Sequence, residues 1–282
     1  MDLIEKILTR VKSLPTLPTV YSALCDTIAN PRSTAEDVAK VISIDQASTL
    51  KVLKMANSAF FGFSGRIETV SRAVVVLGFD EIRSLVLSSS VMDLFKKQKT
   101  LHRFHPRDFW AHSIAVGLIT RILGKMLGVV HLENFFVAGI LHDIGKLFFF
   151  ESAEEDYGRA LGLVDEKNCL IREAELEVLG MDHALVGSMV ADQWKLPEPI
   201  RNAIHYHHFG MAGDEPDLFL ACVHLGDVLA RALVLGYPGD NFIPQPNEAI
   251  WEVLKLKPGM IRKSVPELLR NYEDTMRSVL LS

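Results

Sequence analysis

The chain is poor in cysteine, with only Cys25, Cys169 and Cys222 among 282 residues. No two of them form a CxxC pair and their number is odd, which argues against a disulfide framework and a thiolate zinc site. That usage suits a reducing compartment, so a cytoplasmic location is expected. A basic excess is also missing: the net charge is -5 and the pI about 6.1, which speaks against nucleic acid as a partner. No apolar run reaches the roughly 18 residues of a membrane span. The longest candidate, AVGLITRILGKMLGVV, is interrupted by Arg121 and Lys125, so no membrane association is expected. The first residues, MDLIEKILTRVKSLPTLP, carry charges throughout and lack the apolar stretch of a signal peptide. Finally, histidine is absent before position 102, although the chain holds ten.

What is present is helical patterning and apolar content, 49% of residues, enough for one large domain or two small ones. PTVYSALCDTIAN and STLKVLKMANSA carry apolar residues at helical spacing. Ser33-Thr34-Ala35-Glu36 reads as a capping box opening a helix through DVAKVISI. VSRAVVVLG ends at Gly78, and Asp80 is the expected N-cap of the next helix. The β-like stretch AVVVLGF also fits a buried helix. Pro106 suits the first turn of a long helix to about Gly128, and Ser264-Val-Pro-Glu267 is expected to open a last helix. Asn57-Ser58 reads as a turn or cap. The polar segment KKQKTLHRFHPRD, Lys96 to Asp108, is the expected boundary between lobes 1–100 and 101–282. YPGDNFIPQPNE, with three prolines, is expected to be an exposed loop. The fold class expected is all-α, in two lobes.

All ten histidines fall in the second lobe, between His102 and His224. His142, Asp143 and Lys146 lie in the apolar run LHDIGKLFFF, where an unpaired charge is costly and partners are required. His112 follows Asp108 by four residues, on one helix face. His183 follows Asp182, His207 and His208 are adjacent, and Asp227 sits in the apolar helix VHLGDVLARAL. Imidazoles and carboxylates of this kind are a ligand set for Fe, Mn or Zn, and this many exceed the needs of one ion. Asp143 is the natural bridge between two, and Lys146, one turn later, is placed to face a phosphate. Plainer roles exist for single residues. His131 and His224 fit hydrogen-bonded core positions, and His102 and His105 fit solvent. Asp182 and Asp108 suit helix N-termini, and Asp227 can pair with Arg231 at i+4.

These residues resemble the HD superfamily of metal-dependent phosphohydrolases. The blocks LPTLPTVYSAL, KVLKMANSAFFGFSGRIETVSRAVVVLGFDEIRSL, FWAHSIAVG, FVAGILHDIGKL, GMDHALVG, LPEPIRNAIHYHH and HLGDVLA more specifically resemble the HDOD domain, a bacterial signalling relative. The resemblance runs from about Ser13 to Leu235. It implies an all-helical fold and a regulatory role exercised through signalling proteins, with a nucleotide or phosphoester as a possible ligand. HDOD domains generally have an incomplete metal set, but here the positions matching ligands of active HD relatives are filled by His112, His142, Asp143, His183, His207, His208 and Asp227. Asp108 stands where some HD-GYP enzymes have a further carboxylate. The resemblance therefore implies one or two divalent ions, Fe, Mn or Zn, with Asp143 and Lys146 as candidate catalytic residues, and metal-dependent phosphohydrolase as the alternative function. HD-GYP enzymes carry their GYP shortly after the paired histidines. Here that place reads FGMAG, and Gly236-Tyr237-Pro238 lies beyond Asp227 and reads as an ordinary turn. No efficient cyclic di-GMP hydrolysis is expected.

Overall fold

A computed structural model describes residues 3–14, 16–58, 61, 63, 65–95 and 99–279. Sixteen helices are described, in the order α1 Leu3–Lys12, α2 Thr19–Ala29, α3 Ala35–Ser43, α4 Gln46–Ala56, α5 Val70–Leu77, α6 Phe79–Leu94, α7 Pro106–Met126 and α8 Glu133–Leu141. They continue as α9 Ile144–Ser152, α10 Glu154–Lys167, α11 Ile171–Leu179, α12 His183–Gln193, α13 Glu198–Tyr206, α14 Leu218–Ala232, α15 Ile250–Leu254 and α16 Pro258–Val279. Among the described residues the only sheet is a hairpin of β1 Met211–Ala212 and β2 Glu215–Pro216, so the fold is all-α.

The chain forms two compact units. One comprises Met1–Pro15 and Lys97–Lys263, the other Thr16–Lys96 and Ser264–Ser282. These units differ from lobes 1–100 and 101–282 at the termini. The apolar stripe of α1 buries Ile7 and Val11, and α1 packs on α9 and α12. Lys96, Lys97 and Gln98 of the expected linker lie outside the described residues.

In the unit of residues 16–96 and 264–282, α2 to α6 close around Leu24, Val38, Ile42, Val52, Ile82 and Leu85, all fully buried. Asn57 joins distant backbone in this unit: its side chain accepts from Ile67 N at 2.8 Å and donates to the Leu53 and Ile67 carbonyls at 2.8 and 2.7 Å. That is a turn-and-cap role, as its sequence context suggests.

Several local expectations shift. The capping box is Thr34 with Asp37, whose backbone and side chain bond reciprocally at 3.3 and 3.0 Å. Ser33 instead donates its hydroxyl to the Thr27 carbonyl at 2.6 Å, which removes it from the cap. Asp80 is inside α6, not at its N-cap: Gly78, at φ +87°, ends α5 and starts α6 at Phe79. The last helix begins at Pro258, so Pro266 lies within it, and the helix forgoes the hydrogen bond Pro266 cannot donate.

In the unit of residues 1–15 and 97–263, α8 and α14 pack on the long α7, and α9 packs on α12. Phe104, Phe109, Phe136, Phe148, Phe149 and Tyr157 fill its core. Two glycines set the helix spacing. A Cβ on Gly139 of α8 would lie 2.5 Å from the Gly117 Cα of α7, and one on Gly145 of α9 would lie 2.0 Å from the His183 carbonyl of α12. Neither position has room for a side chain, and both flank the segment holding His142 and Asp143. The 237–248 loop is not simply exposed, because Pro238, Gly239 and Asp240 are buried.

Candidate metal centre

His142 and Asp143 occupy the break between α8 and α9, where the chain leaves one helix and enters the next. The break turns both side chains toward α7, α12, α13 and α14, which supply the rest of the cluster. His112 comes from α7, His183 from the first residue of α12, His207 and His208 from the end of α13, and Asp227 from α14. His112, His142, Asp143, His183, His207 and Asp227 are buried, and His208 is half-buried.

The hydrogen bonds fix how the imidazoles face. His142 Nδ1 donates to the Gly139 carbonyl at 2.7 Å, and His207 Nδ1 donates to the Ile204 carbonyl at 2.7 Å. A carbonyl only accepts, so each Nδ1 carries a hydrogen and each ring turns its Nε2 inward. His183 is held the same way: its Nδ1 donates to Glu175 Oε2 at 2.5 Å, and the same oxygen accepts from its backbone N at 2.9 Å. The inward nitrogens meet Asp143. His183 Nε2 lies 3.1 Å and His207 Nε2 3.5 Å from Asp143 Oδ1, and His142 Nε2 lies 3.3 Å from Oδ2. His208 Nε2 is 3.0 Å from His183 Nε2. His142 Nε2, His207 Nε2 and Asp143 Oδ1 have no hydrogen-bond partner although buried.

Acceptors turned on one another in a dry interior are costly unless a proton or a metal cation lies between them. Burial pushes the Asp143 carboxyl up, but His142, Lys146 and His183 outweigh it and hold the group well below the usual carboxylate range. Burial likewise opposes the ionised Asp227, which Arg231 and His112 nevertheless hold well below its ordinary value. Burial alone depresses His207 and His208, and neighbouring imidazoles depress them further. Burial would also lower His183, but Glu175 and Asp143 reverse it and the net shift is upward.

The ligand atoms form three groups able to hold an ion, His112–His142–Asp227, His142–Asp143–His207 and His183–His207–His208. The group containing Asp143 shares His142 with one of the others and His207 with the other. Asp108 belongs to none of them. It is half-buried, and its carbonyl accepts from Tyr237 N at 2.9 Å. Lys146, buried, donates to Asp143 Oδ2 at 2.6 Å.

Arg231 donates to Asp227 Oδ1 at 2.9 Å and to Asp240 Oδ1 at 2.7 Å, so Asp227 has both its imidazole and its arginine. Glu175 and Asp240 went unnoticed in the sequence. Glu175 lies on a polar stretch of α11, eight residues before His183, and Asp240 lies in a loop. A fully buried glutamate one helix away from a histidine leaves no spacing signal. With Asp143 and Asp227 they are buried in the same unit as the cations Lys146 and Arg231.

Of the remaining histidines, His224 donates Nδ1 to the His207 carbonyl at 2.8 Å and accepts from Asn247 N at 3.0 Å. His131 is exposed rather than in the core, because it precedes α8 on a surface turn. His102 and His105 are exposed. Asp182 caps α12 through Leu185 N at 2.9 Å.

A helical unit carrying a buried His/Asp centre on a helix–helix break defines the class. The HDOD domain model matches residues 14–209, and the chain belongs to that family. The match ends before Asp227, so that member of the centre lies beyond it. A Geobacter sulfurreducens HDOD domain protein of unknown function is similar at 26% identity and TM-score 0.82, over 99% of this chain and 97% of its own. A Shewanella amazonensis SB2B protein, provisionally named a phosphohydrolase, is similar at 24% identity and TM-score 0.76, over 97% and 98%. An uncharacterized protein of Treponema pallidum (strain Nichols) is 27% identical over 207 residues, 73% of this chain; the match spans 40% of that protein's length. No helix among the described residues is long and apolar enough to cross a membrane.

Proposed function

We propose that the protein is a bacterial signal-transduction module of HDOD type, acting in the cytoplasm through protein partners and retaining a buried divalent-metal centre. The observation that carries the metal reading is the convergence of three Nδ1-anchored imidazoles, His142, His183 and His207, on Asp143. His112, Asp227 and His208 complete the set of ligands for one or two ions, of Fe, Mn or Zn, all of which accept nitrogen and oxygen donors. A divalent ion held there supplies Lewis acidity toward a water or a phosphate oxygen.

A regulatory role is favoured over turnover by how the polar groups are committed. Lys146 is fully buried and bonded to Asp143, so its ammonium is occupied by the protein's own carboxylate. The segment after His208, Phe209-Gly210-Met211-Ala212-Gly213, enters the β1–β2 hairpin with few polar side chains to hold a substrate in line. Ile44, Leu50 and Val75, each more than half exposed in the unit that contains no histidine, offer apolar contacts to a partner. The alternative, a metal-dependent phosphohydrolase, is favoured by one observation: the three groups adjoin through His142 and His207, so the ligand atoms suffice for two neighbouring ions. Turnover of a panel of phosphoesters and cyclic dinucleotides, with and without Mn²⁺ or Fe²⁺, separates the two. Metal uptake without turnover is the expected result, and turnover abolished in Asp143→Asn would make the hydrolase reading the better one.

A further inference from the structure

Helix α11 sends two side chains, one turn apart, to the start of α12. Glu175 points inward and holds His183. Arg172 lies nearer the surface and donates its Nε to Asp182 Oδ2 at 2.7 Å. Its guanidinium carbon sits 4.9 Å from the centre of the Phe209 ring. Phe209 is 44% exposed and follows His208, the one half-buried member of the ligand set. The Arg172 side chain is itself 32% exposed. Arg172, Phe209 and His208 thus belong to the side of the cluster that reaches solvent.

The two buried cations already face carboxylates away from solvent: Lys146 is bound to Asp143, and Arg231 to Asp227 and Asp240. Arg172 differs. Its Nε is fixed by Asp182 and its guanidinium lies over Phe209, which pre-orients it in a side chain that is about one-third exposed. An arginine held in that way offers a fork of donors suited to two oxygens of one anion, and stacking on an aromatic ring lowers the entropy lost on binding.

We infer that Arg172, supported by Phe209 and Asp182, is the recognition element for an anionic oxygen ligand, of the phosphate class, that reaches the metal centre past His208. This inference rests on the metal-centre reading for its inner half and on Arg172 alone for its outer half. The ligand would place one edge on the Arg172 fork and another oxygen toward the metal beside His208.

The test uses the full chain loaded anaerobically with Mn²⁺ and titrated with inorganic phosphate, followed by paramagnetic broadening of the ³¹P resonance. Wild type is expected to bind, with broadening that reports proximity to the ion. Arg172→Gln is expected to bind phosphate at least tenfold more weakly at unchanged Mn²⁺ content, and Arg172→Lys to fall between, since it keeps the charge and loses the fork. Phe209→Leu is expected to lose a few-fold, with Mn²⁺ content unchanged. Equal phosphate affinity in wild type and Arg172→Gln, both carrying Mn²⁺, overturns the inference and leaves the metal reading standing. If wild type takes up no Mn²⁺, the metal reading fails; calorimetric titration of phosphate into metal-free wild type and Arg172→Gln then decides the Arg172 role by itself, with loss in the variant supporting it and no difference, or no binding, overturning it.

Discussion

At the scale of single residues, the centre depends on hydrogen bonds that choose tautomers. Glu175→Gln keeps the shape but weakens the hold on His183 Nδ1, and metal affinity is expected to fall by about 10–100-fold; metal titration by a competing chelator measures it, and an unchanged affinity would remove Glu175 from the account. The metal-free protein also has a defined pH response. His112, His207, His208 and His224 are all held below the ordinary imidazole value, with burial the largest cause in each. Each binds its proton more tightly unfolded than folded. The stability they contribute is therefore full above about pH 6.5 and is lost as pH falls below it. His183 is raised, so its contribution is full below about 6.5 and fades as pH rises through its folded value. Asp143 and Asp227 lie well below the carboxylate range and stay ionised throughout this window. With four groups against one, Tm of the metal-stripped protein is expected to drop between about pH 7 and 5; a Tm that climbs over that interval in differential scanning calorimetry contradicts the assignment. Seven of the eight ligand candidates were readable because His and Asp stand out in apolar helices, and those seven fall into the three ion-holding groups. Asp108 enters through the resemblance to HD-GYP enzymes and through its i, i+4 spacing to His112, which says that two residues share a face; its carboxylate belongs to none of the three groups.

At the scale of elements, helix type came through clearly from apolar spacing, whereas helix ends did not. Thr34–Asp37 and Ser33–Glu36 are both S/T-x-x-D/E patterns one residue apart, and the tertiary bond from Ser33 to the Thr27 carbonyl, in the preceding helix, leaves the reciprocal cap to Thr34 and Asp37. Gly78 serves two helices at once, so Asp80 had no cap left to make. Pro266 looked like a helix start because proline favours the first turn, yet α16 already begins at Pro258. What no periodicity reveals is the distance between helices. Gly145→Ala would put a methyl group 2.0 Å from the His183 carbonyl, forcing α9 and α12 apart. A destabilisation of about 1–3 kcal/mol or more is expected, together with lost metal uptake, by urea unfolding and metal analysis. In the other unit, Asn57→Ala leaves the Ile67 N–H without its acceptor. It is expected to cost about 1–3 kcal/mol and to leave metal content at the wild-type level. Lost metal in a properly folded Asn57→Ala would mean that the centre draws on residues outside the unit of residues 1–15 and 97–263.

For the whole molecule, the division of labour follows composition. Every histidine lies in the unit of residues 1–15 and 97–263, and the other unit, 16–96 with 264–282, is held by apolar packing and caps. The tethering of α1 to α9 and α12 was hidden because its stripe of Ile7 and Val11 names no partner. The cluster reads as a metal centre rather than a polar core network because buried His142 Nε2, His207 Nε2 and Asp143 Oδ1 converge without hydrogen-bond partners. The most direct measurement is metal content per chain, by elemental analysis after anaerobic loading with Fe²⁺, Mn²⁺ or Zn²⁺ and desalting, in wild type and in His142→Ala and Asp143→Asn. About one to two ions per chain are expected in wild type, as a carboxylate-bridged pair allows, and a large loss in both variants. Equal, negligible metal in all three proteins would contradict the metal-centre reading.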